Sequence, residues 1–322
     1  MERARDILRF VASRTVLAIG GNSLIRDKQR SGFADQLATV CETARHIADL
    51  VEKGEEMVVT HGNGPQVGFA LIRSHMARNR LPETPLDACN AQTQAEIGYM
   101  IQQCLGNELA ARKVEKGVVT VVTQVVVDRD DSAFENPSKP VGPFYTKREA
   151  AALQTELGWT LKEDAGRGFR RLVPSPVPKE IVEQAQVERL LGAGFVVVAC
   201  GGGGIPVVRA DAGLEGVDAV IDKDRASALL AERVGAGRLV ISTSVESVCR
   251  DYGTPEQQPV AEATAEEMAG LLEQGQFAEG SMKPKVEAAL SFLAAGGEQV
   301  VITDPDHIGA ALEGRSGTRI AK

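Results

Sequence analysis

The chain has 322 residues, 43% of them hydrophobic and 4% aromatic, and a formal net charge of −8. That length suits one large α/β unit or two domains, with ample apolar content for a core. No basic stripe accompanies the acidic balance, which argues against nucleic acid as a partner and means that an anionic ligand must be met by a local cluster of cations. The five cysteines, Cys41, Cys89, Cys104, Cys200 and Cys249, are odd in number and widely spaced and form no CxxC; the expectation is reduced, cytoplasmic thiols with no disulfide framework or zinc site. No HExxH, secretory signal or apolar run of membrane-spanning length is present. Residues 1–14 read as an amphipathic extension ahead of a unit spanning 15–322.

In chain order, Thr15 to Ile19 is a short apolar strand that runs into Gly20-Gly21-Asn22. Ser31 opens an amphipathic helix with Leu37, Val40, Ala44, Ile47 and Val51 at helical spacing, closed by Gly54. Glu56 to Thr60 is the next strand. His61-Gly62-Asn63-Gly64-Pro65 follows, and Pro65 suits the first turn of another helix. Asp87 to Arg112 reads as a helix, and the β-branched run Val118 to Val127 as one central strand.

From Asp128 to Pro178 the texture shifts to Pro, Gly and charge, which suggests an inserted subdomain or lid, placed at 128–173. Thr146-x-x-Glu149 is a capping box that opens a helix to about Leu157; the rest reads as loop or short hairpin. Lys139, between Pro137 and Pro140, stands out among its cations. A helix is expected from Pro178 to Leu191, then a buried strand from Phe195 to Ala199 that ends in Cys200 and four glycines, Gly201 to Gly204. Val207 to Val220 reads as a hairpin crossing. Asp222-Lys223-Asp224 follows, with Asp224 capping a helix from Arg225 to Val234. A strand from Arg238 to Thr243, a capping box at Thr264-x-x-Glu267, Lys285 at the start of a helix from Val286, and strands at Glu298 to Thr303 and Thr318 to Ile320 complete an α/β order.

Three strands thus end in glycine turns, at Gly20-Gly21, Gly62-x-Gly64 and Gly201 to Gly204. In an open parallel sheet the carboxyl ends of the strands share one edge, where ligands bind, so the three turns can converge on one site. Free amides there suit a phosphate. Phosphoryl transfer asks for positioning and charge neutralisation, which the amides and Lys139, Lys223 and Lys285 supply. Asp224 would orient the lysines, and Asp222 would do so or help to hold Mg²⁺. Two other readings use the same residues. Met57 to Gly68 imitates a dinucleotide fingerprint but lacks the acidic residue at the end of the next strand. A non-catalytic sensor of a small anion would use the same turns without needing the lysine set. GxxxxGK[ST] and GxSxG are absent.

LAIGGNSL, VVTHGNGPQVG, PLDACNAQTQAEIGY, NPSKPVGPFY, CGGGGIPVV, VDAVIDKDRAS and GSMKPKVEAA together resemble the carbamate kinases, a branch of the amino-acid kinase superfamily, from about Val16 to Ile320. The resemblance implies a three-layer α/β/α sandwich around an open, mainly parallel sheet with a small protruding lid. It also implies a homodimer and phosphoryl transfer between ATP and carbamate, run in cells toward ATP from carbamoyl phosphate and ADP with Mg²⁺; a kinase of another small carboxylic acid is the neighbouring reading. It makes Lys139, Lys223 and Lys285 the active-site lysines and Asp224 their organiser. Gly20, Gly21, Asn22, Gly62, Asn63, Gly64 and Gly201, Gly202, Gly203 and Gly204 become phosphate-handling positions, and Asp222, Thr243, Tyr252 and Met282 nucleotide-binding ones. Ala18 stands where many superfamily relatives carry a lysine, which fits a Lys139 reaching in from the lid. Ser23, Ala95, Glu96, Glu246, Ser247 and Lys283 depart from the usual pattern.

Overall fold

Apolar residues at successive positions, rather than alternate ones, mark strands buried on both faces. In the computed structural model, which describes residues 14–20, 24–25, 30–163 and 168–322, such runs form the centre of the molecule. The extension before Arg14, together with Gly21, Asn22 and Ser23, lies outside the described residues.

The first half of the chain runs β1 (Arg14–Ile19), α1 (Phe33–Glu52), β2 (Glu56–His61), α2 (Gly64–Ala77), α3 (Leu86–Ala111), β3 (Val118–Thr120), β4 (Gln124–Val127), β5 (Lys139–Tyr145), α4 (Lys147–Leu157), β6 (Thr160–Glu163) and β7 (Phe169–Val173). It continues with β8 (Pro178–Ile181), α5 (Gln184–Gly192), β9 (Val196–Val198), β10 (Ile205–Ala210), β11 (Gly213–Gly216), α6 (Lys223–Arg233) and β12 (Arg238–Ser242). Then come β13 (Cys249–Arg250), β14 (Gln258–Pro259), β15 (Glu262–Thr264), α7 (Ala265–Glu273), α8 (Met282–Ala294), β16 (Gln299–Thr303), α9 (Ile308–Leu312) and β17 (Thr318–Ala321).

Eight strands form the main sheet in the order β15-β17-β16-β12-β1-β2-β9-β3. Pairing is parallel from β16 to β3, and β17 runs antiparallel to β16. Alternate residues feed two cores. Val16, Val58, Leu239 and Val300 pack with α6, α7 and α8 residues on one face, while Leu17, Val59, Val240 and Val301 pack with α1 and α3 residues on the other. The result is the three-layer α/β/α arrangement expected from the sequence.

A second sheet, β11-β10-β4-β8, stands beside the first. The expected single strand Val118 to Val127 is therefore two strands in two sheets. The break is at Thr123, whose backbone N–H donates to Gln94 Oε1 (2.8 Å) and whose C=O accepts from Gln94 Nε2 (3.0 Å). Gln94 takes the Thr123 N–H and shares its C=O with the Ile205 N–H (2.9 Å) of β10, so pairing passes there from the first sheet to the second. Pro178 likewise begins a strand, not a helix: Pro178 and Ile181 are buried, Lys179 and Glu180 exposed, and the segment pairs antiparallel with β4. α6 starts at Lys223 and is capped by Asp222, whose Oδ1 accepts from Asp224 N (2.9 Å) and Arg225 N (3.4 Å); Asp224 is not the cap.

Within 128–173, β5-β7-β6 form a three-stranded antiparallel sheet where loop or a short hairpin was expected, and α4 carries the anticipated Thr146–Glu149 capping box. The outer part has its own small core of Ala150, Leu153 and Leu161. The base is anchored: Val141 and Val173 pack with Val67, Leu86, Cys89 and Val220. Gly68 of α2 approaches β5 so closely that a Cβ on it would stand 2.5 Å from Gly142 Cα. Lys139 thus sits at the fixed end of the insert.

The expectation of reduced thiols throughout is corrected at one pair. Cys41 of α1 and Cys104 of α3 are joined by a disulfide, while Cys89, Cys200 and Cys249 are free. Sequence spacing concealed it because the two positions, 63 residues apart, meet only once α1 packs on α3. Among the described residues no helix is long and apolar enough to cross a membrane.

Candidate active site

β1, β2 and β9 are adjacent in the sheet and parallel, so their carboxyl ends deliver Gly20, the His61–Gly64 turn and the Cys200–Gly204 turn to one edge. The chain leaves β1 toward β2 on one side and leaves the neighbouring β12 toward β15 and β16 on the other, the switch point at which open α/β sheets bind ligands.

The turns are built differently. After β2, Gly62 N–H is spent on Ile19 O (2.9 Å), Asn63 precedes α2, and Gly64 and Pro65 begin it. Asn63 is 3% exposed; its Nδ2 donates to Asn90 Oδ1 (3.1 Å) and Thr93 Oγ1 (2.8 Å) of α3. His61 is buried with its Nδ1 3.0 Å from Gly62 O; burial, aided by the nearby Lys223 ammonium, pushes the ring down to about 4 and leaves it neutral at pH 7. In the four-glycine turn, Gly203 N–H bonds to Cys200 O and Gly204 N–H to Gly201 O, both at 3.0 Å. These amides serve the turn itself. The glycines are there mainly for room: a Cβ on Gly201 would lie 2.3 Å from His61 Nε2, one on Gly204 2.2 Å from Val125 Cγ2. Gly203, at φ +94°, would place its Cβ 2.3 Å from Ile221 O. Of the four, Gly202 lines the cavity.

That cavity, about 170 Å³, brings Lys139, Lys223 and Lys285 together with Asp222 and Asp224. Lys223 Nζ lies 2.6 Å from Asp224 Oδ1, and Lys285 Nζ 3.0 Å from Asp224 Oδ2, so one carboxylate holds two ammoniums, one per oxygen. Lys139 Nζ bonds Asp222 Oδ2 at 2.5 Å. Burial alone would raise the Asp224 carboxyl, but Lys223 and Lys285 outweigh it and hold it well below the usual carboxylate range. Burial likewise opposes ionisation of Asp222, and Lys139 more than compensates. Lys223 ends below its ordinary value: loss of hydration and the neighbouring Lys285 outweigh the attraction of Asp224. Asp222 is thus placed with the lysines, away from the other residues expected to bind a nucleotide.

Those residues, Thr243, Tyr252 and Met282, line a second cavity of about 190 Å³ at the end of β12, with Val245 and Phe277. Ser281 borders both cavities. Ser281, His61 and the α3 triad Asn90, Thr93 and Gln94 were not singled out from the sequence. The triad had a signal: three polar residues at i, i+3 and i+4 on the buried side of a helix otherwise packed with Ile97, Met100 and Ile101.

The chain matches the profile of the amino acid kinase family over residues 13–304. It is 46% identical over 312 residues to the carbamate kinase of Pyrococcus furiosus, covering 96% of this chain and 99% of that one. It is 49% identical to a carbamate kinase-like protein of Escherichia coli, over 95% and 98% of the two chains. A solved structure of carbamate kinase from Giardia lamblia bound to AMP-PNP superposes with a TM-score of 0.91 at 42% identity, covering 97% of this chain and 99% of that one. The matches span essentially the whole fold built above, edge turns and both cavities included, and the chain belongs to the carbamate kinases of the amino acid kinase family.

Proposed function

We propose that the protein catalyses reversible phosphoryl transfer between ATP and carbamate, running toward ATP from carbamoyl phosphate and ADP. The observation that carries this reading is the pair of cavities meeting at Ser281, one lined by three lysines and two aspartates, the other neutral and partly aromatic. The charged cavity suits an acyl phosphate and the second suits the nucleoside of ADP, so the transferred group would lie near Ser281. A terminal β-phosphate oxygen of ADP attacks phosphorus. The bond from phosphorus to the carbamate oxygen breaks, and carbamate leaves with the electron pair. Charge spreads over the transferred oxygens, and the three ammoniums meet it without reorganising, because Asp222 and Asp224 already hold them.

Mg²⁺ is part of this proposal. Among the described residues no group of three or more His, Cys, Asp and Glu forms a metal cage. The residues fit an ion that arrives on nucleotide phosphates and takes most of its ligands from them and from water, since Asp224 is held by Lys223 and Lys285; Asp222, paired with Lys139, is the carboxylate that would help to hold it. Bound there, it would neutralise phosphate charge. A homodimer and a cytoplasmic setting belong to the same reading. The dimer is supported by Phe33 and Tyr99, which stack at 6.5 Å and remain 46% and 52% exposed on α1 and α3.

The test is ATP formation from carbamoyl phosphate, ADP and Mg²⁺ in a coupled assay, with acetyl phosphate as control. ATP from carbamoyl phosphate is the expected result. Anion binding without ATP would favour a sensor, and a preference for acetyl phosphate would favour a kinase of another small acid.

A further inference from the structure

The cavity wall is rich in hydrogen-bond donors, and carbamoyl phosphate offers mostly acceptors. Its phosphoryl and carbonyl oxygens are suited to the ammoniums of Lys139, Lys223 and Lys285. Its amino group is a donor and needs an acceptor. The lining carboxylates, Asp222 and Asp224, are engaged by lysines.

The hydrogen-bond polarity around Asn63 leaves its side-chain oxygen as a neutral acceptor. Asn90 Nδ2 donates to the backbone C=O of Ala219 (3.3 Å), which turns Asn90 Oδ1 toward Asn63. The Thr93 hydroxyl donates its only proton to Asn90 C=O (2.8 Å), so toward Asn63 it can only accept. Both neighbours therefore require the Asn63 NH₂ to face α3, and both of its hydrogens are used there. Its Oδ1 has no donor among the described residues. The whole amide lies across Gly202, where a Cβ would stand 2.3 Å from Nδ2 and 2.9 Å from Oδ1, and Asn63 and Gly202 both line the cavity.

We propose that Asn63 Oδ1 accepts a hydrogen bond from the amino group of carbamate and is the residue by which the site prefers a carbamoyl over an acyl group of the same shape. Acetyl phosphate carries a methyl group there and would cover Oδ1 without pairing it, the kind of mismatch that discriminates most strongly between analogues. Thr93 and Asn90 are positioning residues: they fix which end of the amide faces the substrate. The inference rests on reading this cavity as the carbamoyl phosphate pocket.

The experiment compares kcat/KM for carbamoyl phosphate and acetyl phosphate, each with ADP and Mg²⁺. In Asn63→Ala the preference for carbamoyl phosphate is expected to fall by about tenfold or more, while KM for ADP stays within about twofold. Equal loss with both substrates, leaving the preference unchanged, overturns the proposal and reduces Asn63 to a support of its turn. If Asn63→Ala does not fold, Thr93→Val decides. It removes one constraint on the amide, and the preference should fall by a smaller factor; an unchanged preference again overturns the assignment. Failure of the unaltered enzyme to use carbamoyl phosphate at all would instead strike the reading of the pocket itself, and the proposal with it.

Discussion

On one side of Ser281 the protein gathers charge: three lysines pinned by two buried or half-buried aspartates. On the other side it offers shape, with Tyr252, Phe277, Met282 and Val245 around a cavity of similar size. The first arrangement is costly to assemble, since ammoniums and carboxylates lose hydration there, and in the proposed reaction it would offset that cost when charge develops on a transferred phosphoryl group. The second can raise the affinity for a nucleotide but contributes the same to ground and transition states. The two sides should therefore fail in different ways.

The largest effect is expected on the charged side. Lys223→Ala should lower kcat by about a hundredfold or more, the usual cost of one preorganised donor, with nucleotide KM nearly unchanged. Steady-state kinetics in both substrates separates the two parameters, and parallel loss of ADP binding and turnover would break the comparison. Lys139→Ala should behave similarly, because its ammonium comes from the anchored base of the insert. An intermediate effect is expected on the shape side. Tyr252→Ala should raise KM for ADP several-fold and leave kcat within about twofold, the signature of uniform binding.

The smallest effect is a pH profile. Burial holds Lys223 below its ordinary value of 10.5, so its proton should be lost, and turnover with it, at a lower pH than for an exposed lysine. Lys223→Arg should be slower but free of that alkaline limb, since a guanidinium does not deprotonate there. His61, pushed down to about 4, should add no limb between pH 6 and 9. For folding the sign at Asp224 is the reverse of a lysine that gains a partner. Its pKa is lower folded than unfolded, so its contribution is full above the ordinary carboxylate range and is lost as pH falls from that range down to its depressed folded value. Acid titration of unfolding, with and without Asp224→Asn, measures it.

Much of this was legible because it is local. Glycine after an apolar run, Thr-x-x-Glu before a helix and Lys223 flanked by two aspartates are patterns within a few residues. What the glycines do was less legible. Gly203 and Gly204 read as phosphate-facing amides, yet their N–H groups close the turn and their missing Cβ atoms make way for Ile221 O and Val125. A glycine shows that something comes close, not what. The partners lie far off in sequence: Asp222 meets Lys139 across 83 residues, and Gln94 interrupts the Val118–Val127 run from 29 residues away. Composition and period carry no trace of either.

The Cys41–Cys104 bridge has a consequence of its own. It closes a ring of chain whose ends are 63 residues apart and which contains β2, the Asn63 turn, Asn90, Thr93 and Gln94. An unfolded chain so tied gives up many of its random excursions, a difference of about 4 kcal/mol in the chain-entropy treatment for a loop of this length. Lys139, Lys223, Lys285 and the whole second cavity lie outside the ring. The stretch that carries Asn63 is thus stapled against unravelling, and the stretches that carry the three lysines and line the second cavity are not. Its reserve of stability then follows the redox poise of its surroundings, while the reacting groups stay as they are.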